Sequence, residues 1–266
     1  MENELIASAR AAAAAGAECL RGLWGGRLAV EAKSRFDFVT NADRASQAAV
    51  LGVIRACHPD QAILAEEDAG DYPPPEAQKG VLWVVDPLDG TTNFIHGIPH
   101  VAVSVGVLVE GRPAAGVIVD VTRGEEFWAL AGGGAWLGER PIRVSGQQDP
   151  GQSLLLTGFP FRDKGRLGDY LALFAELFQQ VSGVRRAGAA ALDLAYVAAG
   201  RAEGFWEMGL KPWDLAAGLL LVGEAGGVVS DFAGGGQALW RGDVVAAAPA
   251  LHGMLQAACG RRFPRG

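Results

Sequence analysis

Cysteine is scarce: three residues, Cys19, Cys57 and Cys259, stand in a chain of 266. They lie far apart, cannot all pair with one another, and show no CxxC spacing for zinc or redox chemistry, so they read as reduced core thiols. Positive charge is in deficit as well. Lys and Arg total 23 against 30 Asp and Glu, a net charge of −7, which removes the basis for a general attraction to nucleic acid or an anionic membrane. A local basic contact stays open. No stretch reaches the roughly 18 uninterrupted apolar residues of a membrane span. The first segment carries Glu2, Glu4, Arg10, Glu18 and Arg21 where a secretory signal would have a basic start and an apolar run. A cytoplasmic location is the expectation. Internal repeats and low-complexity tracts are absent.

What the chain does have is 50% hydrophobic content, enough for a large core in one domain or in two smaller ones. Leu5, Ile6, Ala9, Ala13, Ala17 and Leu20 recur at helical spacing and predict an amphipathic helix ending near Gly22. Thr40-Asn41-Ala42-Asp43 marks the start of a second helix, whose apolar face carries Ala45, Ala49, Val50, Val53 and Ile54. Between them, Lys33-Ser34-Arg35-Phe36-Asp37 reads as a polar loop. Short apolar runs at 63–65 and 81–85 suit buried strands, and each ends directly in carboxylates. From 101 to 130, two strands around a turn at Glu110-Gly111-Arg112-Pro113 and then a third predict an antiparallel meander. The glycine-rich stretch 132–144 ends in one more short strand.

A domain boundary is expected near Ser145, before Gly146-Gln147-Gln148-Asp149-Pro150-Gly151. It divides an N-terminal α+β domain, 1–144, from a C-terminal α/β domain, 145–266. In the latter, strands at 153–157, 184–186, 202–207, 228–231 and 244–248 alternate with helices at 169–181, 190–199, 214–225 and 251–259.

The strongest chemical signal is Trp83-Val84-Val85-Asp86-Pro87-Leu88-Asp89-Gly90-Thr91-Thr92-Asn93-Phe94, where an apolar strand delivers two carboxylates around a proline turn. Ionised carboxylates at the end of a buried strand are costly to desolvate, and no Lys or Arg lies among them. A hard divalent cation such as Mg²⁺ would compensate them and could bridge them to a substrate phosphate. Gly90 permits close backbone approach, and Gly90, Thr91 and Thr92 can present N–H groups to an anion. Read alone, Asp86 and Asp89 are equally ordinary turn or N-cap aspartates. Glu66-Glu67 also follows a short strand, and Asp214 in Trp213-Asp214-Leu215-Ala216-Ala217-Gly218 opens an apolar helix, where it could serve as a cap.

Taken together, residues 83–97, Ala65-Glu66-Glu67 and residues 213–227 closely resemble the inositol monophosphatase family, and the similarity runs over essentially the whole chain. The resemblance implies a layered α-β-α-β-α sandwich, a homodimer, and two Mg²⁺ per subunit with room for a third. By similarity, Glu66, Asp86 and the Leu88 carbonyl would hold one Mg²⁺, and Asp86, Asp89 and Asp214 the other, with Glu67 standing behind them. Thr91 and Asp43 resemble the hydrogen-bonded pair that orients the attacking water, although Thr40-x-x-Asp43 also reads as a helix-capping box. Substrate contacts would come from Asp89, Gly90, Thr91, Thr92, Gly188, Ala189, Ala190, Glu207 and a loop lysine, Lys33. At Ala189 many relatives carry Ser or Thr, so a hydroxyl contact is missing here.

The implied activity is that of an inositol-phosphate phosphatase: in-line hydrolysis of inositol monophosphate or a related polyol or sugar phosphate by a metal-activated water, without a phosphoenzyme. His96 and His100 are not needed for it. Related scaffolds carry fructose-1,6-bisphosphatase, nucleotide 3′-phosphatase and histidinol phosphatase activities. Some bacterial relatives associate with the transcription machinery, for which Arg185-Arg186 would be a local basic contact.

Overall fold

The computed structural model describes residues 2–34, 37–69, 79–160 and 163–264, without the side chains of 33, 34 and 37. The chain opens with α1 (Glu2–Leu23), a hairpin of β1 (Val30–Ser34) and β2 (Asp37–Thr40), and α2 (Asn41–Cys57). Residues 33, 34 and 37, expected in a polar loop, belong to these strands, and 35 and 36 lie outside the described residues. The hairpin strands are short and mostly exposed, so no apolar alternation announces them, yet Ala32 pairs with Phe38 and Val30 with Thr40 in antiparallel register. Thr40 caps α2 by accepting hydrogen bonds from Ala42 N and Asp43 N.

Next come β3 (Ala62–Ala65), β4 (Val81–Asp89), α3 (Thr91–His96), β5 (Ala102–Val109), β6 (Arg112–Asp120), β7 (Glu125–Leu130), β8 (Gly134–Leu137) and β9 (Arg140–Ile142). These strands form one seven-stranded sheet in chain order, parallel between β3 and β4 and antiparallel thereafter. The meander is therefore longer than expected. The stretch after Gly132 yields two strands rather than one, because Gly138 at φ 58 takes the left-handed turn between them.

The remainder comprises β10 (Leu154–Thr157), α4 (Leu167–Phe178), β11 (Gly183–Arg185), α5 (Ala190–Ala198), β12 (Gly204–Glu207), α6 (Pro212–Glu224), β13 (Val228–Ser230), α7 (Ala238–Arg241), β14 (Val244–Ala247) and α8 (Pro249–Arg262). A five-stranded sheet runs β11-β10-β12-β14-β13, with β10 parallel to both its neighbours and β14 antiparallel to both of its own.

Strand periodicity explains the layering. Along β4, Trp83 and Val85 join the core beneath α1 and α2, whereas Leu82 and Val84 join the core shared with α5 and α6. Both faces are covered, so the strand reads as an unbroken apolar run. Leu156, Phe205, Val244 and Ala246 of the second sheet also pack on α5 and α6, and Leu155, Trp206, Val245 and Ala247 pack outward with residues of α4 and α8. The order is thus α1/α2, seven-stranded sheet, α5/α6, five-stranded sheet, α4/α8: the α-β-α-β-α sandwich that the resemblance implies. No helix among the described residues is long and apolar enough to cross a membrane. The cysteines divide: Cys259 is buried, Cys19 half-buried, and Cys57, at the end of α2, exposed rather than a core thiol.

The middle layer approaches the first sheet closely because both surfaces are small. A Cβ added at Gly106 would lie 2.6 Å from Ala216 Cβ, and one at Gly116 2.9 Å from Ala217 Cα. On its other side α6 meets α5, where a Cβ on Gly218 would lie 2.5 Å from Leu194 Cδ1. These contacts set where the start of α6, and therefore Asp214, stands above β4. Gly106→Val should push α6 off the sheet and cost about 1–3 kcal/mol through overpacking. Thermal unfolding would check this, and an unchanged melting temperature would contradict the close-packing account.

Candidate metal centre and phosphate pocket

Parallel pairing of β3 with β4 sets Ala65 opposite Val85, so the next residues, Glu66 and Asp86, follow side by side. Asp86 follows Leu82 and Val84 at period two and so emerges on the face that carries α5 and α6. Its Oδ1 accepts a hydrogen bond from Leu88 N at 3.0 Å, closing the proline turn. The strand register then slips between Asp86 and Asp89. Asp89 is turned toward α5, where its Oδ2 accepts the Ala191 N–H at 2.7 Å. From above, Asp214 sits in the first turn of α6, its Oδ2 accepting Lys211 N at 2.7 Å.

One carboxylate oxygen from each of Asp86, Asp89 and Asp214 lies within 4.8 Å of the other two. All three side chains are buried. Burial pushes the Asp86 and Asp89 carboxyls well above the ordinary carboxylate range, and the neighbouring acids Glu66, Asp89 and Asp214 push Asp86 further, as Asp214 does Asp89. What lowers them is a single backbone N–H each, from Leu88 and Ala191, and no cationic side chain is among their principal partners. Acids packed this way either take up protons or gain from added positive charge, and hard oxygen donors of this kind fit Mg²⁺.

Thr91 and Asp43 meet as the family pattern implies. Thr91 Oγ1 donates to Asp43 Oδ1 at 2.9 Å, while Asp43 Oδ2 accepts from Thr40 N at 2.8 Å and Thr40 Oγ1 at 2.6 Å. Asp43 thus uses one oxygen in the cap of α2 and the other to accept from Thr91. Thr91 Oγ1 also lies 3.2 Å from the Leu88 carbonyl oxygen. Gly90, at φ 90, turns the chain into α3, whose first N–H groups belong to Thr91 and Thr92.

These groups border a cavity of about 230 Å³. Glu66, Asp86, Leu88, Asp89, Gly90, Thr91, Thr92 and Asp214 line one side, and Gly188, Ala189, Ala190 and Glu207 the other. Ala189 is the N-cap of α5 and offers no side-chain cap, so the Ala191 N–H that a hydroxyl there could take goes to Asp89 instead. Glu207 ends β12 in a buried position that pushes its carboxyl well above the usual range. It lies so close to Gly158 that a Cβ there would overlap its carboxylate. The Lys33 side chain lies outside the described residues. Glu67 donates its backbone N–H to Gln47 Oε1 at 3.1 Å, and its side chain does not line the cavity. Neither His96 nor His100 lines it.

Phe38, Gly158, Arg186 and Leu210 complete the wall and were not singled out for it by the sequence. Arg186 had been read with Arg185 as a surface contact, but it is close enough to lower the pKa of Glu207 and Asp193. Its position directly after a strand, like that of Gly158, is the signal that could have found it, since sites in layered α/β folds gather beyond strand ends.

Comparison with known proteins agrees with this architecture. The family model described as the inositol monophosphatase family matches residues 1–261. Nus factor SuhB of Pseudomonas aeruginosa is 49% identical over 229 residues, which is 82% of this chain and 81% of that protein. The solved structure of extragenic suppressor protein suhB from Bartonella henselae has a TM-score of 0.90 at 36% identity, covering 97% of this chain and 99% of that one. Inositol monophosphatase from Anabaena has a TM-score of 0.84 at 39% identity, covering 98% and 96%.

The raised carboxyls have a consequence for stability. Asp86, Asp89 and Glu207 bind protons more readily in the folded than in the unfolded chain, so their ionised forms oppose folding. In EDTA the protein should therefore gain stability as pH falls from the folded-state pKa values toward the ordinary carboxylate range. Added Mg²⁺ should remove most of that slope by stabilising the ionised cluster. Melting temperatures at several pH values with EDTA or Mg²⁺ would test this, and identical slopes in both would count against a metal-dependent cluster.

Proposed function

The chain belongs to the inositol monophosphatase family, and from that footing we propose that it is a Mg²⁺-dependent phosphomonoesterase acting on inositol monophosphate or a related polyol or sugar phosphate. The observation that carries the proposal is the convergence of Asp86, Asp89 and Asp214 at one cavity with the Thr91–Asp43 pair beside them.

Glu66, Asp86 and the Leu88 carbonyl would hold one Mg²⁺, and Asp86, Asp89 and Asp214 a second. When bound, the metal supplies positive charge that draws the phosphate in among carboxylates and makes a water acidic enough to attack it. The protein's own groups do the rest. Thr91 Oγ1 spends its proton on Asp43, which leaves its lone pairs to accept from a water and aim it. The N–H groups of Thr91 and Thr92, at the open end of α3, are placed to meet phosphate oxygens. Glu207 offers carboxylate oxygens that can accept from a substrate hydroxyl. On the same side Arg186 offers a cationic donor. The wall at Ala189 lacks a side-chain hydroxyl, so the alcohol portion is held mainly by Glu207, Arg186 and backbone, an arrangement that tolerates several polyols. The same family reading carries a homodimer and a cytoplasmic location.

A second reading rests on the similarity to Nus factor SuhB of Pseudomonas aeruginosa. In it, the protein also contacts the transcription machinery, and a catalytically dead variant would still retain RNA polymerase in a pull-down.

Phosphate release in Mg²⁺ should be measured over inositol 1-phosphate, fructose 1,6-bisphosphate, glycerol 2-phosphate and adenosine 3′,5′-bisphosphate. Asp89→Asn should keep the circular dichroism spectrum and lower turnover by on the order of 10³-fold or more, because a charged ligand becomes neutral. Near-normal turnover in the folded variant would remove Asp89 from the site. Li⁺, similar to Mg²⁺ in size with half its charge, should inhibit at saturating substrate where equal Na⁺ does not. Equal effects of the two ions would argue against a compact second site at Asp86, Asp89 and Asp214.

A further inference from the structure

The cavity has two sides drawn from different sheets. Asp86 and Asp89 end a strand of the seven-stranded sheet, while Gly188, Ala189 and Ala190 lead from the edge of the five-stranded sheet into α5. Nothing in the covalent chain fixes the distance between them, since 99 positions separate Asp89 from Gly188 in sequence (188 − 89). Polar contacts behind the cavity wall cross between the two sides.

Asn93, buried in α3, donates from Nδ2 to two carbonyls at once: His100 O at 2.8 Å and Ala187 O at 2.9 Å. His100 in turn places Nε2 3.2 Å from Asp193 Oδ1, in the first turn of α5. Two residues before Asp193, Ala191 gives its N–H to Asp89 at 2.7 Å. The backbones are correspondingly close. A Cβ on Gly90 would lie 3.0 Å from His100 O and 3.3 Å from Ala189 Cβ, and one on Gly188 3.3 Å from Asn93 Nδ2. The imidazole is held on its far side by an edge-to-face contact with Tyr196 at 5.6 Å, whose hydroxyl lies 3.2 Å from Asp120 Oδ2.

Asp193 is 1% exposed and His100 9% exposed, and neither they nor Asn93 lines the catalytic cavity. A buried polar pair of this kind contributes little net stability compared with apolar packing of the same volume. What it contributes is direction: a satisfied polar network admits one relative placement of the elements it joins. We propose that Asn93, His100 and Asp193 are positioning residues that lock the start of α5 to the Asp86–Asp89 turn, so that Ala191 N–H keeps Asp89 aimed into the cavity and the Ala189–Ala190 wall stands at a fixed distance from the phosphate.

The lock acts through Asp89 and the wall, so its loss should appear in binding parameters before turnover. In the full-length chain, Asp193→Ala should speed amide hydrogen exchange over residues 187–193 by about 10-fold or more, while β4 and β5 stay protected. It should raise both KM for inositol 1-phosphate and the Mg²⁺ needed for half-maximal activity by roughly 10-fold, with kcat changed much less. Asp193→Asn keeps an acceptor oxygen for the His100 N–H and should stay near wild type in all three. If Asp193→Ala does not fold, Asn93→Ser, which withdraws the bridge between His100 O and Ala187 O, should reproduce the exchange and KM changes. The kinetic arm rests on the phosphatase reading and the exchange arm does not. An inactive wild-type protein would overturn that reading alone, whereas unchanged exchange over 187–193, or a loss confined to kcat with KM and Mg²⁺ dependence intact, would overturn the lock.

Discussion

Mutual repulsion among buried carboxylates is the constraint around which this molecule is arranged. Asp86, Asp89 and Asp214 converge within a few ångströms, with Glu66 close enough to act on two of them. Left to themselves, such groups would separate into solvent or take up protons. They are held instead by rigid supports of three kinds: the end of a doubly covered strand for Asp86, the backbone N–H of α5 for Asp89, and the first turn of α6 for Asp214. Each support is itself fixed by packing, so the acids cannot relax apart without disturbing the interior. A divalent metal bound among them would supply positive charge to this cluster.

The sandwich serves this arrangement through its middle layer. Helices α5 and α6 lie between two sheets, and small residues on every contact surface, Gly106, Gly116, Ala216 and Gly218 among them, bring them within reach of β4. Larger side chains there would widen the layer and withdraw Asp214 from Asp86. The same closeness brings α5 over Gly90, which is why the wall around Ala189 and the metal turn can share one cavity of about 230 Å³. The carboxylates at the end of one sheet and Glu207 at the end of the other thereby face one cavity.

Much of this was legible in the sequence for identifiable reasons. Glu66, Asp86 and Asp89 follow apolar runs and Asp214 opens one, where a charge is conspicuous, and Thr40-x-x-Asp43 is a local pattern with a local mechanism. Harder to read were residues whose role depends on contacts between distant segments. Phe38 lies on a hairpin too short and exposed to show alternation, and Gly158, Arg186 and Leu210 reach the cavity from three further segments. His100 looked idle because its partner, Asp193, is 93 positions away. Cys57 misled by residue type, since the end of α2 carries it into solvent. Capping α2 does not stop Asp43 from meeting Thr91, because a carboxylate has two oxygens and the fold uses one for each contact.

The central claim is that the cluster of Asp86, Asp89 and Asp214 holds divalent metal. Crystals grown with Mn²⁺ in place of Mg²⁺ and measured at the manganese absorption edge would test it directly. The account requires anomalous peaks within coordination distance of Asp86, one shared with Glu66 and one with Asp89 and Asp214, at about 2.0–2.2 Å from oxygen as for other small hard cations. Absence of any peak at these carboxylates in well-ordered crystals, or a lysine or arginine side chain occupying the space between them, would contradict it.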